Sequence, residues 1–420
     1  MQSTSATWDS YFAAGEASKV RAIINGTTYG MDKIVACSIS RDMLEDIGLG
    51  SATAAQLDLT LIDYSSIPKM ASIQVDCCLT NGTTDSEWLP MGTFYLDTRE
   101  ELEGGKLLLH AYDAMLKGDV AFTYSGDTMT TTAAVSQICT ALGVSLDSRV
   151  SITEYTINRG QPYTCREILR FIGASQGGSW VITPANKLML VPLKNTAASV
   201  QDIGLGCKSL QLSGSITISG VELVYADGAS YADGDDTTFS LAADCPWATQ
   251  AMATALYTAL DGVVYQPYQA TGVFLNPAIE LGDNMTIDDP AVTVQLASVA
   301  WRFSAATDAD IASPHEQEVD HEYPYKSETE RQFERLASYI KIGAVQDPEG
   351  SGNMVAGISI LNSTNSLTKI VETGTGLYFL DSNDNVIMKI IQDNGIGIVQ
   401  MGDFAFVPVG GALSFMYVGT

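Results

Sequence analysis

Positive charge is what this chain has least of. Its 22 Lys and Arg stand against 49 Asp and Glu, leaving a formal net charge of −27. A surface of that sign repels DNA phosphates and anionic membranes, which argues against specific binding through a basic patch. Histidine is scarce: His110, His315 and His321 have no Ser or Cys nucleophile placed near them, so a catalytic triad is hard to build. Cysteine shows no paired spacing. Cys37, Cys77, Cys78, Cys139, Cys165, Cys207 and Cys245 are scattered and odd in number, and the vicinal Cys77-Cys78 has no second pair to complete a metal site. They read as buried, inert thiols of a protein made in a reducing cytoplasm. Long apolar runs are missing too, none reaching the roughly 18 residues that span a bilayer. The opening MQSTSATWDSYFAAGEASK lacks the basic and apolar regions of a signal peptide. The chain is expected to be made, and to stay, in solution.

What is there is the balance of a folded protein, 46% hydrophobic and 17% charged, at 420 residues long enough for two to four domains. Residues 19–115 read as β structure. Asn25-Gly26 separates VRAII from TTYG, a hairpin signal because that dipeptide tolerates positive φ. Leu57, Leu59 and Leu61 alternate with Asp58 and Thr60, the period of a half-buried strand. MGTFYLDT and KLLLHAYD, joined by EELEGG, make a further hairpin. Helical spacing then takes over at Val135, Ile138 and Leu142, with Gly143 as the stop. A second helix opens at Thr164, where Glu167 completes a capping box and Ile168, Phe171 and Ile172 form the apolar face. SWVITPANKLMLVPL reads as a hairpin, closing a small α/β insert over 116–195. Strands return from 196 to 325, interrupted by one helix with Met252, Ala255, Leu256, Ala259 and Leu260 on one face. KSETERQFERLASYIKIG reads as a short charged helix with Phe333, Leu336 and Ile340 at coiled-coil spacing, too short to stand alone. Strands rich in Ile, Val and Phe follow to the end.

Four motifs invite a chemical reading and fail on their own terms. GASQG (Gly173–Gly177) matches the G-x-S-x-G elbow, but Ser175 falls at the C-terminal end of a helix, the wrong end of the dipole for an oxyanion. His315, Glu316, Glu318, Asp320, His321 and Glu322 resemble a metal cluster, yet H-E-x-x-H needs a second His where Val319 stands; a solvated acidic linker is the reading adopted. DSNDNV (Asp381 to Val386) starts like an EF-hand loop but lacks Gly at its sixth position and has Gln392 at its twelfth, so it reads as a hairpin turn. His110 reads as a satisfied strand residue. No catalytic residue, metal site or cofactor is expected.

Three strings point elsewhere: LPMGTFYLDTREELEGGKLLLHAYDAMLK (89–117), CREILRFIGASQGGSWVITPANKLMLVPL (165–193) and IELGDNMTIDDPAVTVQLASVAWRF (279–303). In that order they resemble the tail hub proteins of phages and prophages of Gram-positive bacteria, over about residues 18–325. The resemblance implies a mainly β fold with an α/β insert and two tail-tube-like β-barrels. The layout expected is an N-terminal arm (1–17), a first barrel (18–115), the insert (116–195), a second barrel (196–325), a short trimerising helix (326–343) with Phe333, Leu336 and Ile340 as its contact stripe, and a β cap or spike (344–420). It also implies a non-enzymatic homotrimer at the virion tail tip. Such a trimer would match the sixfold tube to a threefold tip and close the DNA channel until host contact. Its partners would be the tail tube, the distal tail protein, the tape measure protein and the host cell envelope. Many relatives carry a cell-wall hydrolase after the hub; only about 95 residues follow here, with no hydrolase motif. A receptor-binding adhesin and, behind it, a peptidoglycan hydrolase are the competing readings.

Overall fold

Alternation in AAQLDLTLIDY becomes the strand Gln56–Leu61, whose Leu57, Leu59 and Leu61 are fully buried. The surrounding sheet is built from similar pieces. Asn25 and Gly26 both take positive φ (48° and 80°), turning Ala17–Ile24 directly into Thr27–Tyr29. Leu89–Leu102 and Lys106–Tyr112 pair across the EELEGG turn. The computed structural model describes all residues except 45, 160–161, 205, 227–228, 289–290, 304–306, 314–339, 349–353, 362–368, 382, 394–395, 410–411 and 419–420. Two units emerge, Met1–Gln317 and Glu318–Thr420.

In the first unit one 11-stranded sheet takes strands from both β blocks. Its join is the antiparallel pairing of Ser298–Phe303 with Ile34–Asp42, in register from Ser298↔Asp42 to Phe303↔Cys37. Two separate barrels are therefore not what forms: the described sheet runs from Ser209–Leu212 at one end to Thr27–Tyr29 at the other and closes on neither block. The cause is local. Val299, Trp301 and Phe303 are buried in the same core as Cys37 and Ile39, and each strand satisfies the other's backbone groups. All expected divisions up to residue 317 fall within this unit, whose buried apolar residues form one cluster.

The first residues are packed into that cluster. Helix α1 (Ala6–Ala13), capped by Ser5, buries Trp8, whose indole N–H donates to Asn276 Oδ1 at 3.1 Å. Helix α2 (Thr131–Leu142) ends at Gly143 with φ 72°. Helix α3 (Cys165–Ser175) opens with the Thr164/Glu167 capping box and buries Ile168, Leu169 and Ile172. Phe171 is only half-buried, its ring stacked edgewise on Tyr163 and Trp247 at 4.9 and 5.7 Å. The hairpin Gly178–Ile182/Lys187–Pro192 completes the insert, with Ser145–Leu146 alongside. Helix α4 (Gln250–Leu260) corrects the expected face: it buries Ala253, Leu256 and Leu260, while Ala255 and Ala259 are exposed. The true stripe follows i, i+3, i+7, and Ala is too small for its placement to reveal a face.

The second unit is an eight-stranded antiparallel meander in sequence order: Ile340–Gln346, Met354–Leu361, Lys369–Thr373, Gly376–Leu380, Val386–Asp393, Ile396–Met401, Phe404–Val409 and Ala412–Tyr417. Of the helix expected over 326–343, residues 326–339 lie outside the described residues, and the rest needs correcting. Phe333 and Leu336 lie outside the described residues, but Ile340 opens a strand and pairs with Ile360. Ile340-Lys341-Ile342 alternates with β-branched residues, and that pattern prevails over the i, i+4 spacing to Leu336.

Candidate functional site

Three of the four chemical motifs are accounted for by structure. Ser175 is the last residue of α3; its Oγ donates to the Ile172 carbonyl at 2.9 Å and lies 3.0 Å from the Tyr155 hydroxyl. That is the negative end of the helix dipole, as read. Asp381 Oδ1 accepts from the backbone N–H groups of Asn383 (2.8 Å) and Asn385 (2.9 Å), and Oδ2 accepts from Asn385 Nδ2 at 3.0 Å. The Asn385 side chain, first, and these N–H groups hold its carboxyl below the usual range. The carboxylate shapes the turn between Gly376–Leu380 and Val386–Asp393, which is the hairpin expected. His110 sits opposite Asp58 across two paired strands, Nδ1 2.6 Å from Oδ1. The acidic cluster around His315 and His321 lies outside the described residues. Among the described residues no group of three or more His, Cys, Asp or Glu is placed to hold a metal.

The cysteines are free thiols, buried except for half-buried Cys207. Burial pushes Cys37 up to about 12, and Cys78 and Cys245 up to about 11, so none of these three is a thiolate at neutral pH. Asp113 is one of the buried carboxyls that the sequence did not reveal. It caps the short 3-10 turn Ala114–Asp119, accepting from Met115 N at 2.9 Å and from Ala55 N at 3.0 Å. Burial raises its pKa to about 6, against the pull of those two N–H groups and of Arg41. Arg41, also buried, donates from Nη2 to the Met91 carbonyl. Asp113 thereby ties the first β block to the turn that opens the insert.

The feature left without a structural explanation is a surface. Cross-strand register in the second unit sorts its side chains onto two faces. On one face a row crosses all eight strands, one residue each: Ile340, Ile360, Ile370, Phe379, Met388, Met401, Phe404 and Tyr417. The neighbouring row runs Ile358, Glu372, Leu377, Ile390, Val399, Phe406 and Phe415. None of these residues is buried. The strand residues of the unit that are buried, Val345, Ser359, Val371, Tyr378, Leu380 and Ala405, lie on the opposite face. The apolar rows are most open in the last strands, where Leu413, Phe415 and Tyr417 are 68%, 57% and 63% exposed. Phe415 packs against Phe404 and Phe406 with centroids 5.1 and 4.9 Å apart.

No protein-family profile matches the chain, and no curated protein does. Its structural neighbours include phage tail proteins. A tail protein from Neisseria meningitidis MC58 aligns over 70% of this chain and 96% of its own, at 12% identity and a TM-score of 0.49. The 43 kDa tail protein of prophage MuSo2 from Shewanella oneidensis aligns over 70% and 96%, at 15% identity and 0.48. A prophage tail protein from Listeria monocytogenes EGD-e aligns over 72% and 95%, at 12% identity and 0.44.

Of the three contact residues picked from the sequence, the structure places only Ile340, and it places it in the apolar row rather than on a helix. Most of that row went unread as a face. The signal was there in GLYFLDS and VIMKIIQ, where apolar residues occupy both parities, so alternation alone does not say which set is covered.

Proposed function

We propose that this protein is a structural, non-catalytic component of a phage tail tip. It acts in three copies that join the tail tube to the tip and keep the DNA channel shut until host contact. The observation that carries the reading is the placement of the three hub-like strings. Residues 89–117 and 279–303 supply strands of the one large sheet, while 165–193 forms α3 and the hairpin of the insert, so a β frame spans both sides of an α/β insert as a hub requires. The charge fits as well, because a wall poor in Lys and Arg lets DNA slide past without salt-dependent sticking. The first unit would contribute to a ring, in contact with the tail tube, distal tail and tape measure proteins. The second unit would form the cap, with Phe333 and Leu336 adding apolar contacts ahead of it. Native mass spectrometry of disassembled tails should find three copies per particle; two or six would overturn the reading.

A receptor-binding role is the second reading, favoured by the exposed rings of Phe404, Phe415 and Tyr417, since aromatic faces stack on sugars. A glycan-binding screen with the whole protein decides it, and retention on a defined host-wall sugar would establish it.

A further inference from the structure

We infer that the apolar face of the C-terminal sheet is the seam at which copies of this chain meet. The inference takes the three-copy assembly of the proposed function and assigns it a surface. Eight strands about 4.8 Å apart, each some six residues long at about 3.3 Å per residue, give this face on the order of 700 Å². Monomers rarely expose apolar patches beyond about 300–600 Å², whereas a standard interface buries about 800 Å² on each partner. The face is thus too large to leave in water and about the size that an assembly buries on each chain.

Charge selects the occupant. Each chain carries −27, so copies repel one another over most of their surface. Among the described residues of the apolar face the only charged one is Glu372. This is where copies meet the least like charge, and three such faces can turn inward about one axis, each covered by the other two. A basic partner would find no acidic pattern here to recognise. The opposite face carries Lys369 and Lys389 and already holds the unit's buried cluster, so it has no comparable area to offer.

The last strand supplies both the probe and its control. Phe415 and Met416 are adjacent, 57% and 44% exposed, and project to opposite faces. In the 420-residue chain, Phe415→Glu, and independently Leu413→Glu, should lower the mass measured by light scattering from three chains to one of 44.8 kDa. Met416→Glu should leave the trimer intact, and far-ultraviolet dichroism should show all three variants folded. If wild type is trimeric and the Phe415 and Leu413 variants are as well, the seam is overturned while the three-copy reading stands. If wild type is monomeric at about 10 μM, both fall. Binding of wild type, but not of Phe415→Glu, to phosphatidylcholine vesicles would overturn the seam in favour of a membrane as the occupant.

Discussion

Asp113 shows how one buried carboxyl ties two parts of a fold and leaves a pH signature. It cannot leave its site without orphaning the N–H groups of Ala55 and Met115, yet burial disfavours its charge. Its pKa in the fold, about 6, lies above the ordinary 3.8. Its stabilising contribution is therefore complete below about 3.8 and is lost as pH rises through about 6. Other carboxyls, such as Asp308 and Asp310 held low by Arg302, act in the opposite sense, so the test is a difference. Asp113→Asn keeps one acceptor and removes the titration. Urea midpoints of wild type and variant should diverge in favour of wild type by roughly 2 kcal/mol on going from about pH 7.5 to about pH 4.5. A constant gap would mean that Asp113 does not titrate in that window.

Elements were legible in the sequence to the extent that their causes are local. The Thr164/Glu167 box, Gly143, the Asn25-Gly26 turn and the Leu57–Leu61 alternation each depend on neighbours within a few residues, and each formed as read. The shared sheet was not legible, because Ser298 pairs with Asp42 across most of the chain and nothing in either strand names its partner. Ile340 was misread because apolar residues at 333, 336 and 340 satisfy a helical period while Ile340 and Ile342 satisfy a strand's. Helix α4 makes the same point testable. Ala253 is buried and Ala259 exposed, although both are alanines in one helix. Ala259→Lys should change stability by no more than about 0.5 kcal/mol, and Ala253→Lys should cost roughly 3 kcal/mol or more by driving a charge into the core. Equal effects in thermal melts would mean that the helix presents a different face.

At the scale of the whole molecule, the two units are held together internally by very different means. Among the described residues, the first has a core reaching from Trp8 to Ile311, whereas the buried apolar cluster of the second is Val345, Val371, Tyr378 and Leu380. A sheet with so little buried on one face draws its stability from whatever covers the other. If copies cover one another, mass action makes that stability depend on protein concentration, with each tenfold dilution weakening it by an amount set by the association equilibrium. Calorimetry of the 420-residue chain should accordingly show two transitions. The lower one, from the C-terminal sheet, should move to lower temperature on dilution, and the upper one, from the first unit, should not move. A chain ended at Gln317 should keep the upper transition unchanged, lack the lower one and no longer self-associate when purified. If the second unit is the cap and the first meets the tube, as proposed, particles built with it should lose infectivity. A single transition that vanishes on truncation would show instead that the first unit needs the second in order to fold, and the division of labour between frame and cap would be wrong.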